Sequence, residues 1–412
     1  MTLKIWVSVL KVLFVCKELP HARVVGGPII VYNRVKHLSS RHEVHLLSFY
    51  HPGMEKYADS LKPFCRRLEL VEIPKERSLP RKIYDYFFAD RPVYMLKLYS
   101  PELEARLEQM ASQEAYDCII AEYSFMGQYL HALKDRLPRE TVKVISVHEC
   151  YTDARLKVFK VKGFSWEGLK AYLHYRQLRK YEFEMYRSAD KILTLTREDR
   201  QVLLSYAPDL RVNVIPHGVD VEHFHPKHWK PEGNVICYLG NFGHEPNVDA
   251  VLYFYREIYP LIKREIPDVK FYVVGKDPPP EIKSLEAADG SVKVTGYVED
   301  VRSYLCASRV MVVPVRLGGG FRGKTLEALA CGIPLVSTRL GVEGLEGRED
   351  VDYLVADNPK DFAEKTIAVL KDEKLALRLS ANGRKLAEAY SWQRGVEKLE
   401  KLLLKLVGEK GK

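Results

Sequence analysis

"VMVVPVRLGGGFRGKTLEALACG" (residues 310–332) runs an apolar strand, a glycine-rich loop and a helix with an apolar stripe in direct succession. A loop of that kind turns backbone N–H groups and the positive helix end toward one point, which makes it a cradle for phosphate. Gly318, Gly323, Lys324 and Thr325 also satisfy G-x-x-x-x-G-K-[ST], so the first alternative is a P-loop NTPase. That chemistry needs a magnesium-binding aspartate ending a nearby apolar strand. The nearest downstream candidate is Asp357 in the weak run "DYLVAD", and the helix meets Gly332 and Pro334 after two turns. The context therefore favours diphosphate binding over nucleotide hydrolysis.

Outward from this stretch, Val- and Ile-rich runs alternate with segments of helical period, the rhythm of parallel strands and crossover helices. The first half offers strands at 11–16, 44–49, 68–73, 118–122, 142–147 and 191–196. The second offers 235–240, 269–275, 292–297, 310–315 and 333–338, with helices at 247–266, 300–307 and 325–331. The expected fold class is α/β, with two doubly wound Rossmann-like domains facing a central cleft at the strands' carboxyl ends. The expected divisions are a first domain over 1–211, a Pro- and His-rich linker over 212–234, a second domain over 235–390 and a C-terminal helix over 391–412 packing back.

The chain has 412 residues and a net charge of +9, and its pI of 8.9 favours an anionic partner. Seven scattered cysteines without C-x-x-C spacing argue for reduced thiols and a cytoplasmic location. No apolar run is long enough to span a bilayer. Lys4 and Lys11 interrupt the apolar N-terminus, which reads as leading into a buried strand rather than as a signal peptide. Residues 157–187 carry eight Lys or Arg, three Glu (a net of +5) and eight aromatics. That mixture suits a helix on an anionic membrane, with a solvated domain helix as the alternative. No nucleic-acid-binding fold accompanies it.

The run "GGGFRGKTLEALACGIPLVSTRLGVEGL" (318–345) resembles the donor-nucleotide signature of retaining family 4 glycosyltransferases of the GT-B fold. "NVIPHGVDVEHFHP" (213–226), "YLGNFGHEPNVDAVLYF" (238–254) and "VKVTGYVEDVRSYLCASRVMVVPV" (292–315) point the same way. The resemblance is specific through the second half and looser in the first, where that family binds its acceptor.

The resemblance implies a nucleoside-diphosphate-sugar donor, a sugar, lipid-linked or polysaccharide acceptor, and no cofactor. Glu327 then holds the donor ribose. Arg322 and Lys324 supply phosphate charge in place of the family's usual arginine, whose position is Asn241. The family's sugar-contacting glutamate falls on Gly319, so Gly319, Gly320 and Phe321 contribute backbone N–H groups instead, beside Thr325. Gly275, Lys276, Tyr297 and Val298 line the nucleobase pocket. In the first domain Gly26 and Gly27 let the backbone approach the donor, and His148 in "VISVHECY" faces the transferred sugar. His217 in "IPHG" reads as a linker turn. The expectation is an enzyme without an Asp-x-Asp metal motif, hence metal-independent, and peripheral on the inner membrane face. A sugar-nucleotide epimerase and a non-catalytic sugar-nucleotide-binding protein stay open at this stage.

Overall fold

The computed structural model describes residues 9–22, 27–318 and 321–411. The chain divides into two units, Met1–Pro216 with Gly395–Lys412, and His217–Arg394.

The first unit is built on seven parallel strands in the order β3-β2-β1-β4-β5-β6-β7. These are β1 (Lys11–Cys16), β2 (Glu43–Tyr50), β3 (Arg67–Glu72), β4 (Cys118–Glu122), β5 (Val142–Val147), β6 (Lys191–Thr194) and β7 (Val212–Val214). β1 sits centrally, with Val12 opposite both Val44 and Cys118. Alternate side chains leave opposite faces of a strand. Leu13 and Val15 accordingly enter one core with Ile119 and Ile145, while Val12, Phe14 and Cys16 enter another with Ile120 and Val144. This double coverage explains why the strands read as continuous apolar runs.

The second unit repeats the plan with β8 (Val235–Leu239), β9 (Lys270–Val274), β10 (Val292–Gly296), β11 (Val310–Val313), β12 (Leu335–Ser337) and β13 (Leu354–Val355). Its order is β10-β9-β8-β11-β12-β13. In each sheet the winding direction reverses beside the first strand, between β1 and β4 and between β8 and β11. At such a point the loops part and leave a crevice at the carboxyl ends.

The strand runs expected from sequence all form, most within a residue or two at each end. Val212–Val214, assigned to the linker, instead pairs with β6 as the last strand of the first sheet; three residues are too few to show a period. The expected helix 247–266 is Glu245–Tyr253, a wide turn at Phe254–Ile258 and Tyr259–Glu265. The break falls where Pro260 cannot donate a backbone hydrogen bond. Segment 157–187 is two helices, Tyr151–Lys162 and Trp166–Arg187, and its aromatics divide. Phe183 and Tyr186 belong to the core, while Phe164 and Trp166 at the turn are exposed.

The C-terminal helix, Trp392–Lys410, places Val396, Leu399 and Leu403 in the first unit's core beside Val31, Val35 and Leu38. Glu400 accepts from Arg41 at 2.7 Å and contacts His42 at 3.1 Å, and Lys410 pairs with Asp190 at 2.7 Å. The helix is thus a structural part of the first unit. Leu403→Ala should destabilise the protein by about 2–5 kcal/mol, while Lys405→Ala on the exposed face should stay within about 0.5 kcal/mol; urea unfolding measures both.

Candidate functional site

Two groups of side chains gather at the carboxyl ends of the sheets, one in each unit. In the first, β4 ends on Glu122, which is wholly buried. Arg34, from the helix Gly27–Leu38, reaches its two carboxylate oxygens at 2.7 and 3.0 Å and donates to Ser146 of β5 at 2.8 Å. Burial alone would raise the Glu122 carboxyl, but the Arg34 charge and the hydrogen bonds of His148 and Arg34 outweigh it and hold it at about 2.

His148 stands directly after β5, with Nε2 at 3.1 Å from Glu122. Burial lowers its pKa against the pull of Glu122, so the ring is neutral at neutral pH. A carboxylate can only accept, so Nε2 carries the proton and Nδ1 is left as an acceptor. Tyr123 stacks on this ring at 4.0 Å between centroids, and Lys17 sits 3.9 Å over the tyrosine face. Tyr123 holds φ at 73°, a conformation side chains other than glycine rarely adopt. Its hydroxyl lies 1.3 Å from where a Cβ on residue 27 would stand, so any side chain there would have to displace the tyrosine ring. Gly27 and His148 are thereby brought together through Tyr123; Gly26 lies outside the described residues.

In the second unit the loop after β11 leads into the helix Gly323–Ala330, with Arg322 as the residue before its first turn. Lys324 points inward, donating to the Tyr238 hydroxyl at 2.9 Å and to Asn247 Oδ1 at 2.8 Å, and lies over the Tyr238 ring. Asn247 in turn donates to the Asn241 carbonyl at 2.7 Å. Two candidates separated by 83 residues are thus tied by Tyr238 and Asn247. Burial, then the Arg322 charge, brings the Lys324 ammonium down to about 7. Glu327, one turn further along, is pushed up to about 7 by burial, partly offset by Lys324. Burial likewise lowers Arg322. The helix start therefore carries cations whose hydration is already reduced, which strengthens their attraction for an arriving anion.

The nucleobase-side candidates sit on adjoining loops. Gly240 N–H donates to Val274 and Phe242 N–H to Lys276, each at 3.0 Å, zipping the loop after β8 to that after β9. A Cβ on Gly275 would stand 1.6 Å from the Gly240 carbonyl oxygen, at a φ of +146°. Tyr297, just past β10, is exposed, whereas Val298 packs against the core. Phe321 stacks on His217 at 5.1 Å, with Trp392 tilted on the other ring contact of His217 at 4.9 Å. His217, read as a linker turn, is thus a wall of the glycine loop.

Two readings need correction. Thr325 was expected to bind donor, but it is buried; its hydroxyl donates to Gly341 O at 3.2 Å and its N–H to Arg322 O at 3.0 Å. No donor of Thr325 is left for a ligand. An Asp-x-Asp does occur, at Asp350 and Asp352. Asp352 accepts from Arg348 N–H at 2.7 Å and Asp350 pairs with Lys365 at 2.9 Å, so both serve ion pairs. Asp357, the candidate magnesium ligand of the P-loop reading, accepts from Arg339 N–H at 2.8 Å. Gly319 and Gly320 lie outside the described residues.

Two parallel, doubly wound domains with the same strand order, the second bearing a phosphate-type loop and helix at its switch point, are the GT-B glycosyltransferase fold. Glycosyltransferase Family 4 matches residues 25–223, and Glycosyl transferases group 1 matches residues 233–372. The chain belongs to this family of glycosyltransferases, family 4, also called group 1. It is 25% identical over 316 residues to the UDP-Gal:alpha-D-GlcNAc-diphosphoundecaprenol alpha-1,3-galactosyltransferase of Escherichia coli, covering 68% of this chain and 80% of that one. Among solved structures, sucrose-phosphate synthase of Thermosynechococcus elongatus superposes with a TM-score of 0.67 at 17% identity, over 97% of this chain and 100% of that one. HepE of Anabaena, in complex with UDP and glucose, gives 0.63 at 15% identity, over 96% and 100%.

Glu122, Arg34, Tyr123, Tyr238 and Asn247 escaped the sequence reading. A charged residue closing an otherwise apolar strand ("CIIAE") was the available signal for Glu122, since burying a lone carboxylate is costly. Glu122→Gln leaves Arg34 buried without its counter-charge and should destabilise the protein by about 3–5 kcal/mol. Because the folded pKa is depressed, the Glu122 contribution is present above the ordinary carboxylate range and lost as pH falls from there toward about 2. Urea unfolding across that window should show a shallower acid decline in the variant than in the wild type.

Proposed function

We propose that this glycosyltransferase moves a sugar from a nucleoside-diphosphate donor to an acceptor hydroxyl with retention of anomeric configuration and without a metal ion, in the synthesis of a lipid-linked glycan or polysaccharide. The observation that carries the reading is the helix start at Gly323. It combines an N-terminal dipole, Arg322, and a Lys324 poised to take up a proton, at the switch point of the second sheet. The E. coli relative is named for a UDP-sugar donor and a diphosphoundecaprenol-linked acceptor, which supports the same classes here.

In the proposed reaction the bond between the anomeric carbon and the diphosphate oxygen breaks, and its electron pair leaves on the diphosphate. Arg322, Lys324 and the helix dipole stabilise that charge. Charged hydrogen bonds contribute about 1.5–3 kcal/mol each, more than the roughly 0.3–1 kcal/mol of an exposed helix end. The acceptor oxygen forms its bond on the same face and gives its proton to the departing phosphate oxygen. Glu327 takes the ribose hydroxyls as a carboxylate. Neutral His148, held by Glu122, offers Nδ1 to a sugar hydroxyl. The basic hairpin Tyr151–Arg187 rests on anionic lipid, where a lipid-linked acceptor resides, with its exposed Phe164 and Trp166 at the interface. None of the described helices is long and apolar enough to cross a bilayer.

Arg322→Ala should lower turnover at least tenfold, about 1.4 kcal/mol of barrier, in a protein that folds normally; full activity would refute the charge assignment. Calorimetry with UDP, GDP and ADP sugars in EDTA should find one that binds, and product analysis should show transfer only with an acceptor. Donor turnover without acceptor would favour an epimerase, and binding without any turnover a non-catalytic protein.

Affinity for a donor sugar should peak near neutral pH. Above about 7 Lys324 loses its proton and phosphate charge is lost; below about 7 Glu327 gains one and its acceptor oxygens are lost. Lys324→Met should flatten the alkaline limb and Glu327→Gln the acid limb, read by titration between pH 5.5 and 8.5.

A further inference from the structure

The helix Leu79–Phe88 ("LPRKIYDYFF") is turned inside out. Its apolar residues Leu79, Ile83 and Phe87 recur every fourth position, with Tyr84 and Phe88 alongside, which places them on one side. That side faces solvent: Leu79 is 70% exposed, Ile83 55%, Tyr84 54%, and Phe87 and Phe88 71% each. The residue it buries is an acid. Asp85, 2% exposed, pairs with Arg77 at 2.6 Å and Arg81 at 2.9 Å, and the Tyr86 carbonyl accepts from Gln177 at 3.0 Å. The ion pairs and the Gln177 bond fix the helix with its apolar side outward, in an orientation the hydrophobic effect in water opposes.

The surroundings say what covers that side. The charges of Arg155, Lys170 and Lys82 gather around Lys97, opposed there by Glu76, which pairs with Lys82 at 2.5 Å; Lys97 belongs to the turn before the next helix and Lys170 and Arg155 to the basic hairpin. Gln177 joins this helix to the same hairpin, accepting from Val93 N–H at 3.3 Å while it donates to Tyr86. An outward row of large apolar side chains set among cations on one side of one unit complements a surface that is apolar beneath and anionic above. We infer that the helix Leu79–Phe88 is an insertion element, which lies in the plane of an anionic lipid bilayer with Leu79, Ile83, Phe87 and Phe88 in the acyl boundary and the neighbouring Lys97 and Lys170 among the headgroups. This rests on the lipid-surface reading given for the hairpin and adds to it a second element, which binds by apolar burial rather than by charge.

The test is cosedimentation of the full-length protein with vesicles of phosphatidylcholine containing phosphatidylglycerol, at low and at physiological salt. The variant combines Leu79→Ser, Ile83→Ser, Phe87→Ser and Phe88→Ser. These positions are exposed, so circular dichroism and nucleotide binding should match the wild type. The expected result is wild-type binding that weakens only in part at physiological salt, and binding at least tenfold weaker in the variant. Amide exchange over 79–88 should slow when vesicles are added to the wild type. A variant that binds as well as the wild type overturns the inference and leaves the hairpin reading standing, which Lys160→Glu with Lys162→Glu then tests alone. Wild-type protein that ignores anionic vesicles overturns both. A concentration-dependent dimer in sedimentation velocity, abolished by the four serines and accompanied by no vesicle binding, assigns the patch to a second copy of the chain and also overturns the inference.

Discussion

A parallel strand cannot be joined to its neighbour by a tight turn, because the chain must travel back the full length of the sheet before it can pair again. In this protein every strand pair described in either sheet is parallel, so every return passes through a covering segment and every strand releases its chain at the same edge. That constraint collects Gly27, Tyr123 and His148 at one edge and Asn241, Gly275, Tyr297 and the Gly323 helix at the other unit's equivalent edge. The reversal of winding beside β1 and beside β8 then parts neighbouring loops, and a ligand can enter where they part.

Given that frame, the two halves use charge in opposite ways. The first unit neutralises it: Arg34 and Glu122 satisfy each other in the interior, and Glu122 also holds His148 in one tautomer. The second unit leaves its charges unresolved. Lys324 is held by a phenol and an amide, which accept its hydrogen bonds without cancelling its charge, and the Glu327 carboxylate accepts no hydrogen bond among the described residues. The diphosphate binding proposed for this site gains from that residual imbalance, since a cation already paired with a carboxylate would have to be freed before it could bind phosphate.

Much of this was legible before any coordinates. The long parallel strands show because both faces are covered, and the glycine loop shows because its glycines stand contiguously between a strand and a helix. The strand Val212–Val214 was hidden because three residues carry no period, and the three residues of β6 that it pairs with lie twenty residues away in sequence. Thr325 misled for a different reason. The P-loop pattern specifies residue type and spacing, but whether a hydroxyl faces the loop or the core depends on how the helix is rolled, and here Gly341 takes it.

The sequence by itself determined the two α/β domains, the glycine loop that runs into a helix and the family, because these rest on local period, glycine placement and a contiguous signature. Tertiary structure alone decided which groups work together. Glu122 meets Arg34 across 88 residues, Lys324 meets Asn247 across 77 and Tyr238 across 86, and the apolar side of Leu79–Phe88 proved to face outward. Charge state and facing depend on what the folded chain packs around a residue, and desolvation is a property of that packing.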